Sequence, residues 1–405
     1  MSTRTHALHH PPLARRLDRH SLLRLFRGAL DRFLLLPLGA AIAVVWANTE
    51  PESYFRFAHA LAFPVNEIAM AFFLGLIAQE LFEALMPGGA LAVWRHRALP
   101  MVAALGGLAG SVFTFMLYVR FAHQQMLMPA WPVVAAVDIA AGYYLLRLIY
   151  PRRSGPVAFL LLVTVLTDVI AMAVVSVQTP HFDVHPMGFG LLLIALASAA
   201  LLRRRRVKVF WPYWLISGTL SWLAMYWMGI HPALALVPIV PLLPHERRRD
   251  AVFTDRPDDH PVHQAEHEWN GVAQLALFLF GVVNAGVIFK HVDTGTWAVL
   301  VAALAGRPLG IIAAVALAVA AGLHLPRRMD WADVIVVALA TTSGFTFALF
   351  LASTALPIGA VADQVTLGAL LTTAGALVTI YVAWMLCVGR FKPEAGTAGE
   401  SSGAR

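Results

Sequence analysis

Three ionisable residues stand deep inside apolar runs of this chain: Asp138, Asp168 and Arg307. Asp168 is at the middle of LLLVTVLTDVIAMAVVS (160–176), a segment long enough to cross a bilayer. A charge at that depth is costly and is usually retained for function, typically on an ion or proton path. The alternative is a structural carboxylate satisfied by its neighbours. Asp138 stands in AAVDIAAG (135–142), a run of small residues closed by Gly142. The run Thr341-Thr342-Ser343-Gly344-Phe345-Thr346 is unusually polar for an apolar segment. Taken alone, its hydroxyls are read equally well as bonding back to carbonyls of their own helix. As a pair, the two breaks point to unwound backbone, which is tolerated at membrane depth only where protein or a water cavity surrounds it. A carboxylate beside unwound carbonyls is a cation site of hard oxygen ligands. The same carboxylate can hold a proton, because burial disfavours its bare charge. A site that takes either, open to each side in turn, is an exchanger. Thr341, Thr342, Ser343 and Gly344 are its candidate lining. Asp138 and Arg307 carry the right signs to offset the positive N-terminal and negative C-terminal ends of interrupted helices. Glu67, Glu80, Glu83 and His231 lie nearer span ends or cavities. His231 is expected to be packed and hydrogen-bonded rather than part of a transport path.

The elements that must position these groups are membrane helices. The 405 residues are 59% hydrophobic and 13% charged, with a mean hydropathy of +0.70. Soluble domains carry about 25% charged residues, so the composition predicts an all-α polytopic membrane protein. Twelve spans are expected, near 33–48, 65–86, 99–118, 130–149, 156–177, 187–202, 210–228, 231–243, 269–289, 297–321, 332–354 and 364–388. With both termini inside, every Lys and Arg except Arg56, Arg120, Lys290 and Arg307 falls in a cytoplasmic tail or loop. That alternation follows the positive-inside rule and accounts for the net charge of +7 without nucleic acid. RRRRVK (203–208) reads as a loop anchor in contact with lipid headgroups. Residues 1–32 form a basic tail in which 19–33 suits an interfacial helix. Residues 33–388 form one transporter domain, interrupted by the polar loop 244–268, and 389–405 read as disordered. No cleavable signal is expected, since the first apolar run is a full helix long.

Several classes drop out. A soluble enzyme is excluded by hydropathy, and an ATP-driven pump by the lack of a GxxxxGK[ST] loop. The single cysteine, Cys387, allows no internal disulfide or Cys-based metal cluster. No cofactor is implied. A channel shares the composition but does not explain paired breaks in spans 4 and 11, the middle members of two helix triples. Breaks at corresponding places in two repeats mark a transporter site.

The membrane region also resembles the NhaA-type sodium/proton antiporters. The resemblance rests on NEIAMAFFLGLIAQELFEAL (66–85), ALPMVAALGG (98–107), VDIAAG (137–142), LTDVIA (166–171), GIHPAL (229–234), NAGV (284–287), GRPLGI (306–311) and SGFTFALFLAS (343–353), in family order and spacing. It implies an inverted-repeat fold with discontinuous helices 4 and 11, in a bacterial inner membrane, moving a monovalent cation, Na⁺ or Li⁺, against protons. By position, Asp168 matches the second aspartate of the helix 5 motif, Asp138 the aspartate of the helix 4 break, and Arg307 the lysine of helix 10. Glu83 and His267 match members of the family's pH-responsive cluster. The chain also departs from the pattern. Thr167 stands where the first helix 5 aspartate belongs, Val137 replaces a threonine, and Gln79 replaces an acidic residue. The lysine has become Arg307, which keeps its proton in a protein. The stretch 49–64, read as a loop, is too short for the β-hairpin through which relatives dimerise, so a homodimer needs another surface. These departures imply that Asp168 titrates alone, with Thr167 lending a hydroxyl oxygen, and that exchange is one-for-one and electroneutral. The competing expectation is that Arg307 pairs with Asp168 and fills the cation site from within. The chain would then carry a different solute or act as a sensor.

Overall fold

The computed structural model describes residues 35–85, 94–151, 154–178, 185–207, 209–243, 261–326, 329–356 and 359–392. The expected tail helix (19–33) and most of the loop 244–268 lie outside them, as do the side chains of Glu83 and His267. The regular structure of the described residues is all helical and contains no strand.

In chain order the α-helices are α1 (Leu35–Thr49), α2 (Pro51–Phe63), α3 (Met70–Leu85), α4 (Trp94–Phe121), α5 (Trp131–Ala135), α6 (Ile139–Ile149), α7 (Gly155–Gln178) and α8 (Met187–Arg204). They continue as α9 (Thr219–Trp227), α10 (Pro261–Asn284), α11 (Thr294–Val301), α12 (Arg307–Ala320), α13 (Trp331–Ala340), α14 (Thr346–Ala355), α15 (Ala360–Leu371) and α16 (Gly375–Met385). Single π-turns join α2 to α3 (Pro64–Ala69) and α11 to α12 (Ala302–Gly306), so each pair reads as one long apolar run. Five such runs among the described residues are long and apolar enough to cross a membrane. Phe113, Leu193, Leu215, Leu317 and Leu377 are between 66% and 72% exposed. Large apolar side chains spread this widely over a surface belong against lipid.

Two segments depart from expectation. The stretch 49–64 is not a loop: Pro51–Phe63 is helix, opened by Pro51 at its first position, where the missing N–H costs nothing. Its Tyr54 and Ala58 are buried at helical spacing. The expected span 231–243 contains no α-helix and winds instead through 3₁₀ turns. Pro232, Pro238 and Pro241 remove the donors a longer helix requires. Its carbonyls find other donors: Ser221 Oγ reaches Ala235 O at 2.7 Å, and Arg203 Nη1 reaches Pro241 O at 2.8 Å.

Similar accounting holds after α10, where Ala285–Ile288 is not helical. Tyr54, 1% exposed, donates its hydroxyl to Val283 O at 2.9 Å and accepts from Gly286 N at 2.9 Å. Asn48 donates to Val287 O at 2.9 Å and accepts from Phe289 N at 3.1 Å. Buried irregular backbone persists because these side chains replace the helix ladder.

The long helix α4 packs along α12 through glycines four apart on each: Gly106 and Gly110 against Gly306 and Gly310. A Cβ at Gly106 would come within 2.6 Å of Gly310 O, and one at Gly310 within 2.8 Å of Gly110 Cα. Small residues let the two backbones touch, as close-packed membrane helices require. That contact sets the depth of Arg307, the first residue of α12.

Candidate functional site

α5 ends at Ala135 and α6 begins at Ile139, with Ala136 and Asp138 in extended backbone. α13 ends at Ala340 and α14 begins at Thr346. The two interruptions touch. A Cβ on Gly344 would stand 2.7 Å from Asp138 N, so only a glycine fits at that crossing. Gly142, one turn into α6, faces the Ala340 carbonyl.

Asp138 caps α6. Its Oδ1 accepts from Ala141 N at 3.1 Å, and its Oδ2 accepts from the Thr346 hydroxyl at the start of α14. One carboxylate therefore serves the positive ends of two half-helices. Arg307, 3% exposed, sends Nη2 to Val134 O in the last turn of α5, the negative end of the opposing half. Its Nε has no hydrogen-bond partner among the described residues. The guanidinium also lies within electrostatic reach of Asp168.

Asp168 is 2% exposed and Thr167 3%. The Thr167 hydroxyl donates to Val163 O at 2.8 Å, and Thr164 donates to Leu160 O at 3.0 Å. Thr341, Thr342 and Ser343 are buried, and their hydroxyls donate to Ala338, Leu339 and Ala340 carbonyls at 2.7, 2.7 and 3.0 Å. These three hydroxyls thus cap the end of α13 and leave oxygen lone pairs as their remaining polar capacity. Just past α15, Thr372 adds a bond at 3.3 Å to Gly344 O.

These residues form a layer. One apolar core holds Val133, Val134 and Ala136 of the α5 segment, Phe115 of α4, Ala171 of α7, Ala302 and Phe345–Ala352. A second holds Tyr143–Ile149 of α6, Leu99 and Ala103 of α4, Val157–Val163 of α7, Ile311–Ala318 of α12, and α13. Between the two cores, each of these chain segments contributes polar groups: Asp138; Ser111; Thr164, Thr167 and Asp168; Arg307; and Thr341–Ser343. Sequence reasoning named most of this layer. It counted Thr346 in the polar run but not among the lining residues, and it missed Ser111 and Thr164, isolated hydroxyls in apolar helix with no local signal. His231 is buried, and its Nδ1 accepts from Ala233 N at 3.2 Å.

A helical membrane bundle with two crossing interruptions and charges at the interrupted ends defines a membrane transporter. A solved structure agrees on the fold: the sodium proton antiporter MjNhaP1 of Methanocaldococcus jannaschii superposes with a TM-score of 0.55, at 16% identity, covering 92% of this chain and 96% of that one. The family model described as Na⁺/H⁺ antiporter 1 matches residues 27–386, and the chain belongs to that family. Among its relatives, a Na(+)/H(+) antiporter NhaA of Desulfitobacterium hafniense is 34% identical over 368 residues, 88% of this chain and 95% of the relative. Another, from Geobacter metallireducens, is 36% identical over 345 residues, 82% and 90% of the two chains.

Proposed function

We propose that the chain exchanges Na⁺ or Li⁺ for H⁺ across the bacterial inner membrane by alternating access, with both termini cytoplasmic. Asp168 binds the cation or the proton. Thr167 lends an oxygen lone pair, and the back-bonded Thr341, Thr342 and Ser343 line the site beside the Gly344 crossing. Asp138 and Arg307 hold the half-helix ends. The pH-response candidates are Glu83 and His267.

The observation that carries this reading is the direction of the Arg307 side chain. Its Nη2 hydrogen bond goes to a helix-end carbonyl, which supports a compensating role rather than occupation of the cation site. A guanidinium does not release its proton, and Thr167 has none to exchange at the pH of a cell. Asp168 is then the sole carrier in the helix 5 motif, which supports one proton per cation and no net charge moved.

The test is ion-driven proton flux in proteoliposomes. Sodium or lithium gradients should drive proton movement in the wild type without building a membrane potential, and Asp168→Asn should abolish it. Flux that generates a potential would overturn electroneutrality. No cation-driven flux, with uptake of another solute instead, would overturn the exchange itself.

A further inference from the structure

The turns that follow α16 lie outside the layer described above. α16 closes in a Schellman pattern: Cys387 N donates to Trp384 O and Val388 N to Ala383 O, each at 3.1 Å. The residue that makes this turn is left-handed, and it is Cys387, at φ 52°, where a glycine is usual. Two residues on, Gly389 is left-handed again, at φ 59°. Two such residues so close together turn the chain back on the bundle. Residues 389–391 form a 3₁₀ turn that packs against the end of α6.

The contact is close. A Cβ on Gly389 would stand 2.2 Å from Ile149 O, the carbonyl of the last residue of α6. Val388 is buried in the same apolar core as Ile149 and Tyr150, and Phe391 packs on that core from its edge. An attachment of two apolar side chains can open locally while the rest of the fold stays closed. What it holds is one arm of the crossing. α6 begins at Asp138, against Gly344. Just past its far end, the Tyr150 hydroxyl donates to Asp333 in the first turn of α13 at 2.7 Å. The helix has only 11 residues, about 16 Å at the α-helical rise, so a restraint at one end is felt at the other.

We propose that Val388–Phe391 is an autoinhibitory strap. It restrains the end of the half-helix α6, and its detachment frees α6 for the movement that opens the crossing. The strap holds α6 whatever solute Asp168 carries; that its release speeds turnover rests on the exchange proposed above.

Hydrogen exchange of the full chain in lipid, paired with cation-driven proton flux in proteoliposomes, tests both parts. Gly389→Ala places a Cβ against Ile149 O at a left-handed position and should detach the strap. Amide exchange in 143–150 and 388–391 should rise about three- to tenfold, while 35–49 and 271–284 stay as they were. The maximal rate of flux should rise with KM little changed, whereas loss of a merely structural contact would leave turnover equal or lower. Phe391→Ala removes an anchor without touching the backbone and should act in the same direction. It carries the test should Gly389→Ala fail to fold. Unchanged exchange in 143–150 overturns the strap. Faster exchange there with turnover no higher overturns its autoinhibitory role. A wild type without cation-driven flux overturns the proposed exchange instead, and hydrogen exchange alone then decides whether the strap holds α6.

Discussion

Arg307 is the residue whose role the structure sharpens most. From sequence it reads as a helix-end counter-charge, with internal pairing to Asp168 as the competing reading. Its buried guanidinium donates to Val134 O at the end of α5, while Asp138 serves the starts of α6 and α14. Arg307→Met should therefore leave a helix-end carbonyl without its charged donor. The expected loss is about 1.5–3 kcal/mol, the worth of a hydrogen bond to a charged group, read as a lower melting temperature in detergent. Arg307→Lys, which keeps the charge but not the planar fork, should lose less. If Met melts no lower than wild type, the guanidinium is not supporting α5. The buried charges were legible in sequence because an ionisable residue inside an apolar run stands out against its neighbours. The partners of those charges were not. Thr346 lies 208 positions from Asp138, and nothing local to either residue announces the pairing.

At the scale of elements, the two broken helices are joined at a second place. The Tyr150 hydroxyl, just past α6, donates to Asp333 Oδ1 at 2.7 Å, and Asp333 Oδ2 accepts from Asp330 N at 3.0 Å, closing the first turn of α13. The end of one half-helix is thus tied to the start of the other. Tyr150→Phe should remove that tie at a cost of about 1–3 kcal/mol for the buried acceptor left short of a donor. Hydrogen exchange should rise in 139–149 and 331–340 together. A rise in one segment alone would mean that the bond does not couple them. Neither residue stood out in sequence, because a tyrosine at a helix end and an aspartate in a first turn are ordinary there. Elements were legible where apolar length decided them and misread where local chemistry did. Residues 51–63 carry Glu52, Arg56 and His59 among their apolar positions, which lowers their hydropathy without weakening a helix that buries only one stripe. Residues 232–243 are apolar throughout, yet three prolines decide their backbone.

At the scale of the molecule, the described residues form two apolar cores with a layer of polar side chains between them. Leu146 belongs to one core and Phe350 to the other, both fully buried. Leu146→Ala should cost about 2–5 kcal/mol and Phe350→Ala about 3–5. If the cores are separate, the double variant should lose the sum to within about 0.5 kcal/mol; a clear departure from additivity would show them to be one. The sequence supplied the family's motif order and the apolar runs. The division into two cores appears only once α4, α7 and the α11–α12 run are seen to pass through both. One consequence follows from the hydroxyls of Thr167, Thr341, Thr342 and Ser343, each of which is satisfied by a carbonyl of its own helix. A pocket whose donors depended on cargo would be left with broken bonds each time the cargo departed. These four hydroxyls keep their partners whether or not a cargo is present, which on the proposed exchange lets the site return carrying a proton alone.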